Sequence, residues 1–195
     1  MTAVRRCFGD DSELYRQYHD EEWGRPVRDE RGLLEKLSLE AFQSGLSWLT
    51  ILRKREGFRR AFSNFDPEAV ASFGPADVDR LLGDAEIVRN RQKIEATIAN
   101  AAATLALRTT GRDLAHLIWA HRPARRPPPR TWADVPGQTD GSRALAKGLK
   151  ANGFRFVGPT TAYALMQACG LVNDHLADCV VRDAVEARQA AVPEP

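Results

Sequence analysis

Cysteine is scarce: Cys7, Cys169 and Cys179 are the only three in 195 residues. That excludes a disulfide-stapled scaffold and leaves the thiols as metal ligands or core groups in a reducing compartment. Long apolar runs are missing too, so no stretch reaches membrane-spanning length and no membrane partner is expected. Residues 1–13 lack the apolar core of a secretion signal, and a cytoplasmic protein is expected. No repeat recurs, and almost no stretch alternates polar with apolar as a strand does, so the reading is all-α. Neither sign of charge dominates. Against 26 Asp and Glu stand 28 Lys and Arg, a net +2 that permits nucleic acid as a partner without requiring it. What is present is ordinary for a globular chain: 43% hydrophobic, 28% charged, and enough length for one domain with or without a small lobe.

The most informative stretch runs from Gly153 to Cys179, GFRFVGPTTAYALMQACGLVNDHLADC. Gly158 permits a sharp turn with close backbone approach, and Pro159 suits the first turn of a helix. The helix from Thr160 to Ala168 would aim free N–H groups and its positive end back at that turn, which is how backbone binds an anion. Val157, Gly158 and Thr160 are therefore candidate contacts to a phosphate backbone. A DNA-gripping hairpin usually has another Gly two residues before Gly158, where this chain has Phe156. An ordinary helical corner with a Pro start is the competing reading.

Upstream, residues 10–22 read as a short polar helix on which Tyr15, Tyr18, His19 and Glu22 recur at helical spacing, followed by Trp23. Residues 30–55 carry the apolar stripe Leu33, Leu37, Ala41, Leu49 and Leu52. Beside that stripe lie Glu40, Ser44 and Trp48, which share a face if the helix runs through Ser44-Gly45. A carboxylate there either lines a pocket, with Trp48 as a flat wall, or points to solvent at the helix edge. Residues 56–86 read as short helices begun by Asp66-Pro67 and Gly74-Pro75, and 87–108 as one long helix. Near its start Arg89, Arg91 and Lys93 either touch phosphates or sit in solvent. Residues 121–130, HRPARRPPPR, should be an extended surface loop or semi-rigid linker.

His175 and Cys179 are spaced so that one helical turn presents both to one ion, and Cys7-x11-His19 offers a second thiolate and imidazole. Together the four make a closed Cys2His2 set, the structural rather than catalytic zinc pattern. Such a site would staple the N-terminal segment to the C-terminal one. The alternative is four residues with no ion.

Four motifs in order carry a resemblance over nearly the full length: Tyr15-x2-Tyr18-His19-Asp20-x-Glu22-Trp23-Gly24, Leu39-Glu40-x3-Ser44-Gly45-Leu46-Ser47-Trp48, Gly153-Phe154-x-Phe156-Val157-Gly158-x-Thr160, and Met166 through His175. With these the chain resembles the bacterial DNA-3-methyladenine glycosylase I (Tag) family. The resemblance implies a helix-hairpin-helix glycosylase fold, a single domain over 1–195 with two helical lobes and a base pocket between them. It implies one structural Zn2+ on Cys7, His19, His175 and Cys179. Glu40 would contact the excised base, Tyr18 and Trp48 would sandwich it, and Tyr15 and Trp23 would lie at or near the pocket. The implied activity is monofunctional hydrolysis of the N-glycosyl bond of 3-methyladenine in double-stranded DNA, by a monomer. A non-catalytic, zinc-containing damage-binding protein is the alternative. One departure stands out. The family's Cys-x-Trp and the Pro before Leu-Tyr are replaced by Cys7-Phe8-Gly9-Asp10-Asp11-Ser12-Glu13-Leu14-Tyr15, leaving Phe8 to fill the space. The family also lacks the Asp that related glycosylases place beyond the hairpin, so Asp174, next to His175, is expected to support the metal ligand.

Overall fold

The computed structural model describes residues 5–9 and 12–193; the first two residues of the helix expected over 10–22, and Glu194-Pro195, lie outside them. Among the described residues ten α-helices follow in order: α1 Glu13–Glu21, α2 Glu30–Gln43, α3 Trp48–Ala61, α4 Pro67–Ala71, α5 Pro75–Gly83, α6 Arg91–Arg108, α7 Leu114–Trp119, α8 Asp140–Ala151, α9 Pro159–Ala168 and α10 Arg182–Ala190. Short 3-10 turns at Ser63–Phe65 and Trp132–Asp134 complete the path, and no strand occurs among the described residues. The all-α reading holds.

Side-chain caps set many of these boundaries. Asp29 accepts from the Gly32 N–H to start α2, Ser47 from Thr50 to start α3, Asp66 from Ala69 to start α4, and Asn90 from Lys93 to start α6. Each satisfies a donor that the first turn leaves open. The Asn90 cap explains why the long helix expected over 87–108 begins only at Arg91.

α2 is the central element. From Leu33 to Phe42 every residue but Glu35 is buried, so this helix is enclosed on all sides. Phe42 meets Phe58 at 4.6 Å between ring centroids and Phe62 at 6.0 Å, and Phe62 stacks on Phe65 at 5.7 Å. The single helix expected over 30–55 is instead two. Gly45 adopts φ +84°, a conformation open to glycine, and the chain turns over 44–47 before Ser47 caps α3. The carbonyls freed at the end of α2 are taken by Lys93, whose ammonium donates to Phe42 O at 2.8 Å and Ser44 O at 2.6 Å.

The C-terminal third wraps back on the start. Gly170 (φ +76°) passes so close to residues 24–26 that a Cβ there would lie 2.7 Å from Gly24 O. That approach allows Gly24 N–H to reach Gln167 O and Val27 N–H to reach Cys169 O. The Pro-rich run is extended, as expected, but it is anchored rather than a linker. Arg122 donates to Gln189 O and Val192 O, Arg126 to Asp174, and Pro129 O accepts from Ala177.

Candidate functional site

Burial of α2 carries Glu40 inward with it, and only 6% of the residue is exposed. Its carboxyl makes no hydrogen bond among the described residues, and burial pushes its pKa up to about 8 against the pull of the Lys36 ammonium one turn earlier. α1 brings buried Tyr18 alongside. Burial, then the nearby Glu40 and Glu22 carboxylates, push the Tyr18 hydroxyl well above its usual range. Trp48, the first residue of α3, tilts against Tyr18 with centroids 5.2 Å apart. Its indole Nε1 is buried without a partner among the described residues, and so is Ser38 Oγ. Glu40, Tyr18 and Trp48 thus converge, although not along one continuous helix face. Trp48 arrives through the 44–47 corner. Its contact with Tyr18 also leaves no room for a flat base between the two rings as they stand.

Beneath this group runs a charge network. Glu22 accepts from Arg55 at 2.6 Å and from Lys36 at 3.2 Å. Burial raises its pKa, but Lys36 and Arg55 outweigh that and leave it below the ordinary carboxylate value. Tyr15 and Trp23 border the same region. Phe8 packs on Tyr15 at 4.9 Å and on Trp23 at 5.1 Å, so it does occupy the space between them.

The four Cys and His residues meet. Ligand atoms of Cys7, His19, His175 and Cys179 all lie within 4.8 Å of one another, a set that could hold a metal ion. Sγ of Cys179 lies 3.4 Å from both His19 Nε2 and His175 Nδ1, and Cys7 Sγ lies 3.6 Å from His175 Nδ1. The neighbouring Cys179 and burial push the Cys7 thiol up, while Cys7, His175 and His19 pull the Cys179 thiol down against burial. The far nitrogens are also held: His19 Nδ1 faces Asp20 Oδ1 at 2.7 Å, and His175 Nε2 donates to Trp23 O at 3.1 Å. Asp174 does not take the supporting role expected of it. It is buried between Arg126, the Tyr163 hydroxyl and Gln167, at 2.6–2.8 Å. Its side chain points into α9 and the Pro-rich loop.

Between α8 and α9 the chain makes the anticipated tight turn. Gly158 is the N-cap of α9, Pro159 its first residue, and Thr160 is exposed. Val157 is buried, backbone included, so of the three expected phosphate contacts Gly158 and Thr160 are the accessible ones. Of the basic cluster, Arg91 pairs with Asp79 and Lys93 is buried, leaving Arg89 exposed and without a carboxylate partner among the described residues.

Sequence reasoning passed over Lys36 and Trp132. An i,i+4 spacing from Glu40 was the available signal for Lys36. Nothing local marks Trp132, whose indole donates to Cys7 O at 3.0 Å across 125 residues and whose ring lies 6.2 Å from Phe8.

Comparison with known proteins follows this geometry. The family model described as methyladenine glycosylase matches residues 8–183. The DNA-3-methyladenine glycosylase of Haemophilus influenzae is 44% identical over 182 residues, which is 92% of this chain and 97% of that protein. A crystal structure of 3-methyladenine DNA glycosylase I (TAG) superposes with a TM-score of 0.87 at 45% identity, covering 90% of this chain and 98% of the other. A variant of 3-methyladenine DNA glycosylase I in complex with 3-methyladenine superposes with a TM-score of 0.85 at 35% identity, covering 90% and 96%. The chain belongs to the methyladenine glycosylase family.

Proposed function

We propose that this protein is a monofunctional DNA-3-methyladenine glycosylase of base-excision repair, acting as a cytoplasmic monomer on alkylated double-stranded DNA. The observation that carries the reading is the buried Glu40 carboxyl, without a hydrogen bond among the described residues, near the buried Tyr18 ring on which Trp48 packs. Unsatisfied buried polar groups are expensive, and a ligand amine that donates to Glu40 recovers part of that free energy. A protein that only senses damage would gain nothing from them.

Methylation at N3 makes the adenine a cation. In the reaction the bond between C1′ and the base nitrogen breaks with both electrons going to the base. The base leaves neutral, the sugar becomes an oxocarbenium ion, and water adds at C1′ with loss of a proton. Little acid catalysis is required, so the work is extraction and capture. Trp48 swings from Tyr18 to admit the base, and the two rings then hold the cation at about 0.5–2 kcal/mol per contact. Glu40 loses its proton as the cation enters and accepts from the exocyclic amine. Tyr15 and Trp23 border the pocket.

α8, the turn and α9 form the hairpin of a helix-hairpin-helix. The backbone at Gly158, seated by buried Val157, grips phosphates with Thr160 without reading sequence. One continuous core reaching from α2 to α9 supports a single domain, with two helical lobes flanking the base pocket. The Cys2His2 cluster holds one structural Zn2+. With bonds of about 2.0 Å to nitrogen and about 2.3 Å to sulfur, a tetrahedral zinc sets N···S separations of about 3.5 Å. The observed 3.4–3.6 Å fit that value. Four protein ligands leave no open position for metal-bound water, so the ion would staple residues 7–19 to 175–179 and take no part in the chemistry.

The test is to incubate the purified protein with methylated duplex DNA and identify released bases chromatographically. Release of 3-methyladenine, reduced in Glu40→Gln and in Trp48→Ala at unchanged zinc content, is the expected result. Full activity in both variants overturns the pocket assignment.

A further inference from the structure

Phe156 stands at the tip of the turn between α8 and α9 with φ +59°. For a bulky L-residue the left-handed region is a true outlier, whereas glycine adopts it freely. Burial does not compensate. Phe156 is 38% exposed while Phe154 and Val157 on either side are buried. Neighbouring contacts fix the strained backbone: Arg155 N–H donates to Asn100 Oδ1 at 2.7 Å, and Asn100 Nδ2 donates back to Arg155 O at 3.2 Å. The ring lies 5.7 Å from the Lys93 ammonium. That ammonium also caps the carbonyl end of α2, bonding Phe42 O two residues beyond Glu40. An exposed aromatic ring is therefore held at one edge of the helix that carries the base-binding carboxyl.

We propose that Phe156 is a DNA-stacking residue. Its ring lies against a base or sugar face of the duplex beside the displaced nucleotide and helps keep the damaged base out of the stack. Apolar wedges that unstack base steps, and rings that stack on bases regardless of sequence, are established ways for protein to hold distorted DNA. The inference rests on the reading that the α8–α9 turn faces DNA.

Replacing Phe156 with glycine separates strain from function. The measurements are melting temperature, binding of free 3-methyladenine, and binding of a duplex oligonucleotide with one tetrahydrofuran abasic site. F156G should melt at the same temperature or about 2–4 °C higher. It should bind the free base as the parent does and the duplex about tenfold more weakly, and F156W should restore duplex binding. Unchanged duplex affinity in F156G, or a lowered melting temperature, overturns the inference. Thr160→Glu, which puts negative charge at the same turn, tells the two readings apart. If it weakens duplex binding and F156G does not, only the role of Phe156 fails. If neither variant weakens it, the turn does not face DNA and both readings fail.

Discussion

The ammonium of Lys36 lies 5.1 Å from the centroid of the Tyr18 ring and 3.2 Å from the Glu22 carboxylate, one helical turn before Glu40. It is the cation that opposes the effect of burial on Glu40. An ionised Glu40 is the form suited to a cationic base, so below pH 8 the catalytic efficiency toward methylated duplex should rise about tenfold per pH unit and level off near pH 8. Lys36→Met should move this limb up by about one pH unit and lower activity at pH 7 about tenfold, with recovery at higher pH. Single-turnover release of 3-methyladenine from pH 6 to 9 checks both. A limb that does not move in the variant contradicts the role given to Lys36.

Glu40 also leaves a mark on stability. Its folded pKa is about 8, above the ordinary 4.5. Between those values the folded protein keeps a proton that the unfolded chain releases. Its favourable contribution is complete below pH 4.5 and is lost as pH rises through 8. Glu40→Gln removes the dependence. The variant should match the parent in melting temperature near pH 4.5 and exceed it by several degrees at pH 8.5, while excising far less base. Thermal scans across pH, beside the activity assay, test this opposition of stability and function.

Much of this arrangement was legible in the sequence, and what was not had tertiary causes. The four Cys and His ligands stood out by residue type, because thiolates and imidazoles are rare in a chain with three cysteines and four histidines. Their convergence depends on the return of residues 169–179 past Gly24 and Gly170, which no local pattern encodes. Glu40 looked like an edge residue because its own helix offered only a narrow stripe. Its burial comes from the helices packed around α2. The break at Gly45 hid the true route of Trp48 into the site. Lys93, expected either at a phosphate or in solvent, caps a helix end instead.

Zinc should prove structural. His19→Ala and Cys179→Ser each remove one of four ligands, and each should lose the metal by elemental analysis and lower the melting temperature by about 10 °C or more. Any folded fraction at low temperature should still bind free 3-methyladenine. Retained stability in both variants contradicts a stapling role.

Asp174 is wholly buried and paired with Arg126, Tyr163 and Gln167, away from the Cys and His ligands. Asp174→Ala should destabilise by about 1–3 kcal/mol, because it leaves the buried Tyr163 hydroxyl and the Gln167 amide without their acceptor, while Arg126, about a third exposed, can turn to water. Activity per folded molecule should stay within a few-fold of the parent, measured below the lowered melting temperature. A loss of several orders of magnitude in the folded variant would instead give Asp174 a part in steadying the sugar cation.

The pocket itself is tested most directly by a crystal structure of the protein with free 3-methyladenine bound. The expected result is a base within hydrogen-bond distance of the Glu40 carboxyl, with the Tyr18 and Trp48 rings parted from their present 5.2 Å to hold it between their faces. A base bound elsewhere, for example in the 260 Å³ cavity beside Arg122 and Arg126, with Tyr18 and Trp48 still in contact and Glu40 untouched, would contradict it.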